Sequence, residues 1–141
     1  MALPLPDEPS IIVFPFKNLS NDVNQDYFCD GLTMDIIASL SKVPDLFVIA
    51  RDTTFTFKGN TLNIKQVAEK MGVRYVLHGS VRKSENRIRI TAFLTDAIKG
   101  NNLWAERYDR DLKDPFALQD DITMNVLTAL QVELTEGEKI R

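Results

Sequence analysis

The sequence VRYVLHGSVRKSENRIRITAFLTDAIKGNNLWAERY, residues 73–108, decides the fold of this chain. Apolar and polar residues alternate along it, and a period of two is the pattern of half-buried strands. Clusters of turn-forming residues interrupt the alternation twice, which indicates tight connections between neighbouring strands. We therefore predict an antiparallel meander whose strands cover residues 73–83, 87–95 and 103–108.

Strand and helix patterns alternate before the meander. β-branched and aromatic residues at 10–16 predict a first strand, and LFVIA at 46–50 predicts a second buried strand. Residues 25–42 carry apolar side chains at helical spacing, as do residues 63–71, where Gly72 provides a good C-cap. Two consecutive strand–helix units indicate parallel strands joined by right-handed crossovers.

Segments with weaker patterns lie between and beyond these elements. Residues 51–60, RDTTFTFKGN, are predicted to be irregular or a short edge strand, whereas residues 116–134 have the spacing of a last helix. Three prolines at 1–9 indicate a linker, and hence a chain cut from a longer protein. The charged tail at 135–141 is expected to fray.

These elements predict an α/β fold, of the α+β kind with a mixed sheet. Their order is β-α-β-α-β-β-β-α, with helices packed on a sheet that is partly parallel and partly antiparallel. We expect one domain over residues 10–134.

Composition excludes several classes of protein. The chain has 141 residues, a net charge of −3, one cysteine and one histidine, so no internal disulfide and no Cys/His metal cluster is expected. We expect no cofactor, because the six glycines are isolated and form no phosphate-binding pattern. The acidic balance argues against a nucleic-acid partner. No apolar run approaches the roughly 18 residues that span a bilayer, so no direct membrane insertion is predicted.

The candidates for catalysis in this chain are paired carboxylates and nucleophilic side chains. A lone strand histidine such as His78 is more often a hydrogen-bonded structural residue than a base, and Cys29 is more often a small buried hydrophobe. Acidic residues near helix starts complement the helix dipole, and this interpretation is favoured for most of the acidic pairs. The pairs are Asp26 with Asp30, Asp109 with Asp111, and Asp120 with Asp121. We predict no catalytic residue.

A basic sheet face is the most concrete candidate site. Alternation places Arg87 and Arg89 on one face, and His78 and Arg82 share a face of the preceding strand. The turn between the strands puts Arg82 across from Arg87 or Arg89, and Glu106 could compensate these charges. The face is either a site for an anion or acidic partner, or a solvated face with cross-strand ion pairs, and the second interpretation is favoured.

Trp104 and Tyr108 share a face of their strand, with Glu106 between them. They either pack under a helix or against Phe93, or they form an aromatic interaction patch. The sequence leaves both alternatives open.

Five segments together resemble the TolB-like amino-terminal domain of bacterial signalling proteins. They are PSIIVFPF at 9–16 followed by NLS at 18–20, YFCDGL at 27–32, LFVIAR at 46–51, VRYVLHGSVR at 73–82 and LWAERYD at 103–109. The resemblance implies a fold like the TolB amino-terminal domain and brings no catalytic residues. It also implies neighbouring domains, commonly a class III adenylate or guanylate cyclase domain and tetratricopeptide repeats.

The resemblance leads us to expect a non-catalytic regulatory or assembly module of a bacterial adenylate cyclase-like protein, acting in cyclic-nucleotide signalling. Its partners would be neighbouring domains, another protein or a second copy as a homodimer. The alternative is a sensor of small anions or nucleotides that uses Arg82, Arg87, Arg89 and His78. A cytoplasmic location is expected, or an extracytoplasmic one if the parent has an upstream membrane helix.

Overall fold

The computed structural model describes residues 9–58, 63–111 and 113–140, and for residues 115 and 133–140 it describes the backbone only. The elements along the chain include strands of very different length. They are β1 (Ser10–Val13), β2 (Lys17–Asn18), α1 (Gln25–Leu40), β3 (Phe47–Val48), α2 (Arg51–Phe55), α3 (Ile64–Met71), β4 (Tyr75–Ser84), β5 (Arg87–Asp96), β6 (Asn101–Asp111) and α4 (Pro115–Ile140).

The strands form one mixed sheet in the order β3-β1-β4-β5-β6, with β2 beside β4. β1 runs parallel to both β3 and β4, whereas β4, β5 and β6 are antiparallel. Parallel neighbours need crossover connections, and α1 and the α2–α3 segment supply them. The predicted mixed α/β fold and the meander are therefore confirmed.

One face of the sheet packs against α1 and α4. The even-numbered apolar residues of β5 are buried between the sheet and these helices, as the alternation predicts. They are Ile88, Ile90, Ala92 and Leu94.

The opposite face is covered at one end only. Val67 and Ala68 of α3 pack on Ile12 and Val76, next to β1 and β4. Farther along, side chains such as Arg89 are half-buried or exposed. We call this uncovered part of β4, β5 and β6 the open face.

Three predicted elements differ from the structure. Residues Arg51–Phe55 form a helix, not an irregular segment or edge strand, because burial of Thr54 outweighs the strand preference of its neighbours. The second strand is only Phe47–Val48. Helix α4 continues to Ile140, past the predicted end at Leu134, and therefore includes most of the tail that was expected to fray. The linker at 1–9 lies outside the described residues except for Pro9.

The first predicted strand is split at Pro15. β1 ends at Val13 and β2 begins at Lys17, since proline has no N–H to donate to the sheet. Between these residues the chain takes one residue more than β4 takes between Leu77 and Ser80. The split is therefore a bulge in the parallel part of the sheet.

Candidate functional site

The predicted arginine cluster forms on the open face. Arg82 lies directly opposite Arg89 in the β4–β5 register, which confirms one of the two predicted pairings. Arg89 donates through Nε to Oδ1 of Asp109 at 2.6 Å, and this bond, with the charge of Arg89, lowers the pKa of that carboxyl. Arg87 makes the equivalent contact to Asp111 at 3.2 Å. The repulsion between the arginines is thus compensated from β6.

Glu106 does not supply this compensation. It is paired with Ala92, and its parity places it on the helix-side face with an exposed side chain. Its Oε1 accepts a hydrogen bond from the backbone N–H of Arg107 at 3.2 Å. The expectation for Glu106 was wrong because only odd-numbered residues of β6 share a face with the arginines.

Trp104 and Tyr108 also lie on the helix-side face. Trp104 is half-buried against the main core, and Tyr108 is buried, with its pKa raised chiefly by that burial. The Tyr108 hydroxyl accepts a hydrogen bond from Nδ2 of Asn125 in α4 at 2.6 Å. Of the two alternatives, the structure therefore shows packing under a helix, and Phe93 is on the other face.

His78 shares the open face but is separated from the arginines. Its ring stacks on Phe93, with centroids 5.3 Å apart, and its Nε2 lies 2.9 Å from the hydroxyl of Thr95. Burial, and then the nearby charge of Lys17, lowers the pKa of His78. The histidine is therefore a neutral, hydrogen-bonded residue at neutral pH.

The arginines and His78 lie in two different depressions of the surface. A shallow one of ≈ 310 Å³, which we call the arginine pocket, is lined by Arg82, Arg87, Arg89 and Asp109 among others. A larger one of ≈ 650 Å³ lies between α1, the α2–α3 segment and β4, and we call it the α1–α3 cavity. His78 lines the second and not the first.

The α1–α3 cavity has a carboxylate end. Asp26 and Asp30 project from successive turns of α1; Oδ1 of Asp26 accepts a hydrogen bond from Asn18 at 2.9 Å. Lys58 lies 2.7 Å from Oδ2 of Asp30, while Oδ1 of Asp30 is buried and has no hydrogen-bond partner among the described residues. Burial and then the charges of both carboxylates raise the pKa of Cys29 to about 12, a rise that Lys58 only partly opposes.

Sequence reasoning missed this cavity. Helix-dipole compensation explains Asp26 and Asp30 from the sequence alone. Their separation of four residues also places them on one face of the helix that follows the first strand, and this was the signal for a shared site. Among the described residues, no group of three or more His, Cys, Asp or Glu could hold a metal ion. Within the same residues, no helix has the length and apolar content to cross a membrane.

No protein-family model matches the chain. It is 56% identical over 137 residues to Putative adenylate cyclase 3 of Rhizobium meliloti (strain 1021), covering 97% of this chain and 23% of that protein. The chain thus spans less than a quarter of this relative.

Solved structures share the fold at low identity. TolB from Acinetobacter baumannii superposes with a TM-score of 0.64 at 18% identity, covering 92% of this chain and 30% of that one. Lipoprotein GNA1162 from Neisseria meningitidis has a TM-score of 0.59 at 22% identity, with 84% and 96% covered. The expected TolB-like fold is confirmed, and the chain is similar to a segment of a protein named as an adenylate cyclase.

Proposed function

We propose that this domain is a non-catalytic regulatory and assembly module of a bacterial adenylate cyclase-like signalling protein. The observation that carries the proposal is the strong similarity of nearly the whole chain to a minor segment of the Rhizobium relative. Most of that relative lies outside the matched segment, which leaves room for a catalytic domain. By the family resemblance, this would be a class III cyclase domain, with tetratricopeptide repeats as further neighbours.

The chemistry of the described side chains supports a non-catalytic role. Asp109 and Asp111 are held in ion pairs with arginines, and His78 is held by Thr95. Cys29 is buried, and its raised pKa keeps it a thiol rather than a nucleophilic thiolate. These four side chains are therefore engaged in holding the fold.

The edge of β6 offers a surface for assembly. Among the described strands β6 pairs with β5 on one side only, so its other edge presents backbone groups outside the sheet ladder. Two of them bond nearby side chains, the Arg107 N–H to Glu106 and the Asp109 carbonyl to Arg110, and a second copy would have to replace these bonds. An antiparallel pairing of two copies centred on Tyr108 would place Glu106 opposite Arg110 of the second copy. The same register would place Arg107 opposite Asp109, so charges match on both faces of the strand.

A second copy therefore suits this edge, and class III cyclases act as dimers. Light scattering coupled to gel filtration over a wide concentration range tests this pairing. We expect a concentration-dependent dimer, weakened at least tenfold by Glu106→Arg and restored by adding Arg110→Glu. Lys42→Glu, an exposed charge change remote from β6, is the control. A strict monomer, or a dimer that ignores the charge swap, would contradict assembly through β6.

The non-catalytic part has its own test. The purified chain should form no cyclic AMP from ATP with Mg²⁺ or Mn²⁺. Cyclic AMP production that follows the protein through purification would overturn this part of the proposal while leaving assembly open to the scattering experiment.

Anion sensing is the second candidate function, and the arginine pocket favours it. Arg82 lines this pocket, and no ion pair to it is found within the described ranges. Calorimetric titration with ATP should then show binding that Arg82→Ala and Arg89→Ala abolish, with Arg51→Ala as the exposed control. Unchanged affinity in both variants would refute the site.

We propose a cytoplasmic location, because a cyclase domain draws on cytoplasmic ATP. The extracytoplasmic alternative requires a membrane helix upstream in the parent. An alkaline phosphatase fusion at this domain of the parent should be inactive, and an active fusion would contradict the cytoplasmic location.

A further inference from the structure

We propose that the α1–α3 cavity binds a small organic cation, an ammonium group carried on a flat apolar body. This site goes beyond the assembly role and does not depend on it. The cavity volume of ≈ 650 Å³ falls within the range of about 300–1,000 Å³ typical of small-molecule sites.

The position of the cavity in the fold is the first argument. α1 leaves the β1–β2 segment over one face of the sheet, whereas α3 packs on the other face beside β1. Connections that leave in opposite directions create a crevice at the carboxyl end of the parallel strands, where open α/β sheets bind ligands. The residues after β1, from Phe14 to Leu19, line this crevice.

The walls of the cavity are flat and apolar. Phe14 stacks on Phe57 with centroids 6.2 Å apart and an interplanar angle of 24°. His78 and Phe93 form a second stack at 5.3 Å and 20°. Phe16 lies over Gly79, so close that a Cβ there would come within 2.7 Å of its ring. Such rings favour a planar or slender apolar ligand between them.

The carboxylate end determines the charge of the ligand. Asp26 and Asp30 contribute two negative charges, and Lys58 neutralises one of them through its bond to Asp30. Oδ1 of Asp30, like Oγ1 of Thr54, is buried and has no hydrogen-bond partner in the part of the chain that the structure describes. An ammonium donor at the accessible part of the two carboxylates would satisfy the remaining negative charge, whereas an anion would be repelled.

Lys17 also lines the cavity, and its charge acts on His78. Its side chain is exposed, so its charge is largely screened by water. The half-buried carboxylates are screened less, and the apolar body of the ligand would extend from them toward the aromatic walls.

Nuclear magnetic resonance titration of the full chain with 2-phenylethylammonium tests the site. We expect concentration-dependent shifts at residues lining the α1–α3 cavity. The anion 3-phenylpropionate and the neutral 2-phenylethanol, which have the same ring, should bind at least tenfold more weakly. Equal shifts from all three probes, or shifts elsewhere only, would overturn the proposal.

Two kinds of variant test separately the negative charge of the cavity and its volume. Asp30→Asn and Asp26→Asn should each weaken binding at least tenfold, whereas Asp35→Asn, an exposed acid on the same helix, should leave it within twofold. Ser80→Phe fills the cavity without changing its charge and should abolish the shifts. Binding to the Ser80→Phe protein at wild-type strength would exclude this cavity, even if one Asp variant fails to fold. Dimer formation through β6 should be unaffected by any of them.

Discussion

Replacement of Asp96 by asparagine should remove a large part of the stability of the meander. The Asp96 side chain has no exposed surface, and its Oδ2 accepts bonds from Arg74 Nη2 at 2.9 Å and Nε at 3.2 Å. Its Oδ1 accepts the backbone N–H of Ile98 at 3.0 Å and of Lys99 at 3.1 Å. One carboxylate thus joins the start of β4 to the turn after β5.

The structure sets the size of the effect. Removing one partner of a buried ion pair costs about 3–5 kcal/mol. The Arg74 side chain is 36% exposed and its guanidinium also lies over the Tyr75 ring, so water and this contact reduce the cost of losing Asp96. The asparagine oxygen can still accept both turn N–H groups, and we expect a loss of about 2–3 kcal/mol. Asp96→Ala also loses these two bonds, at about 1 kcal/mol each, and should lose about 4–5 kcal/mol.

The pH dependence gives a second readout. Burial alone would raise the pKa of Asp96, but the bonds from Arg74 and from the turn N–H groups outweigh burial and leave the pKa below its ordinary 3.8. A depressed folded-state pKa contributes stability above the unfolded pKa and loses it as the pH falls through the folded value. The difference between wild type and Asp96→Asn should therefore be full at pH 7 and shrink below about pH 4.

Urea denaturation at several pH values measures both quantities. Asp111→Asn breaks the Arg87–Asp111 pair, whose side chains are 64% and 56% exposed, and should cost less than about 1 kcal/mol. An Asp96→Asn loss no larger than that of this control, or a loss independent of pH, would refute the reasoning.

The other predictions concern four residues: Gly79, Gly31, Cys29 and His78. Gly79→Ala should destabilise by about 3 kcal/mol in chemical denaturation, because its Cβ would collide with the Thr91 carbonyl oxygen. Gly31→Ala, with no atom within 4 Å of its Cβ, should instead stabilise α1 by about 0.5–1 kcal/mol, and equal effects would contradict this contrast. Cys29 is buried and its pKa is raised to about 12, so it should react with a thiol reagent at pH 8 only when the chain opens; fast labelling would show an open site. The one histidine resonance, from His78, should titrate below 6.5 in proton spectra, and a midpoint above 6.5 would disprove its burial.

Much of the fold was predictable because its signals are local. The period of two in β5 predicted the buried face, and the turn before it limited the partner of Arg82 to Arg87 or Arg89, of which the structure has Arg89. Gly72 adopts the left-handed conformation, with φ of 69°, that its place after a helix required. Helix α2 was not predictable, because its five residues are fixed by tertiary burial rather than by a periodic pattern.

The candidate site was less accessible to sequence reasoning. The compensation of the arginines depends on the parity of β6, where a register irregularity lies beside Leu94 and Thr95. The α1–α3 cavity depends on contacts between residues far apart in the chain, such as Phe57 from α2–α3 and Phe93 from β5. A cavity enclosed by three segments that are distant in the sequence leaves no spacing pattern from which it could be predicted.

Two breaches of local strand rules nevertheless border this cavity. Pro15 lacks the N–H that a strand needs, and Gly79 leaves a gap in the middle of β4. The structure joins them: the bulge around Pro15 turns Phe16 onto Gly79, and Thr33 of α1 accepts the freed Phe16 N–H at 3.0 Å. A sheet optimised for stability alone would keep neither residue, since a regular strand with a β-branched residue packs better. Both residues line the α1–α3 cavity. The cavity is therefore the part of this fold where the sequence departs from strand preferences to meet another requirement.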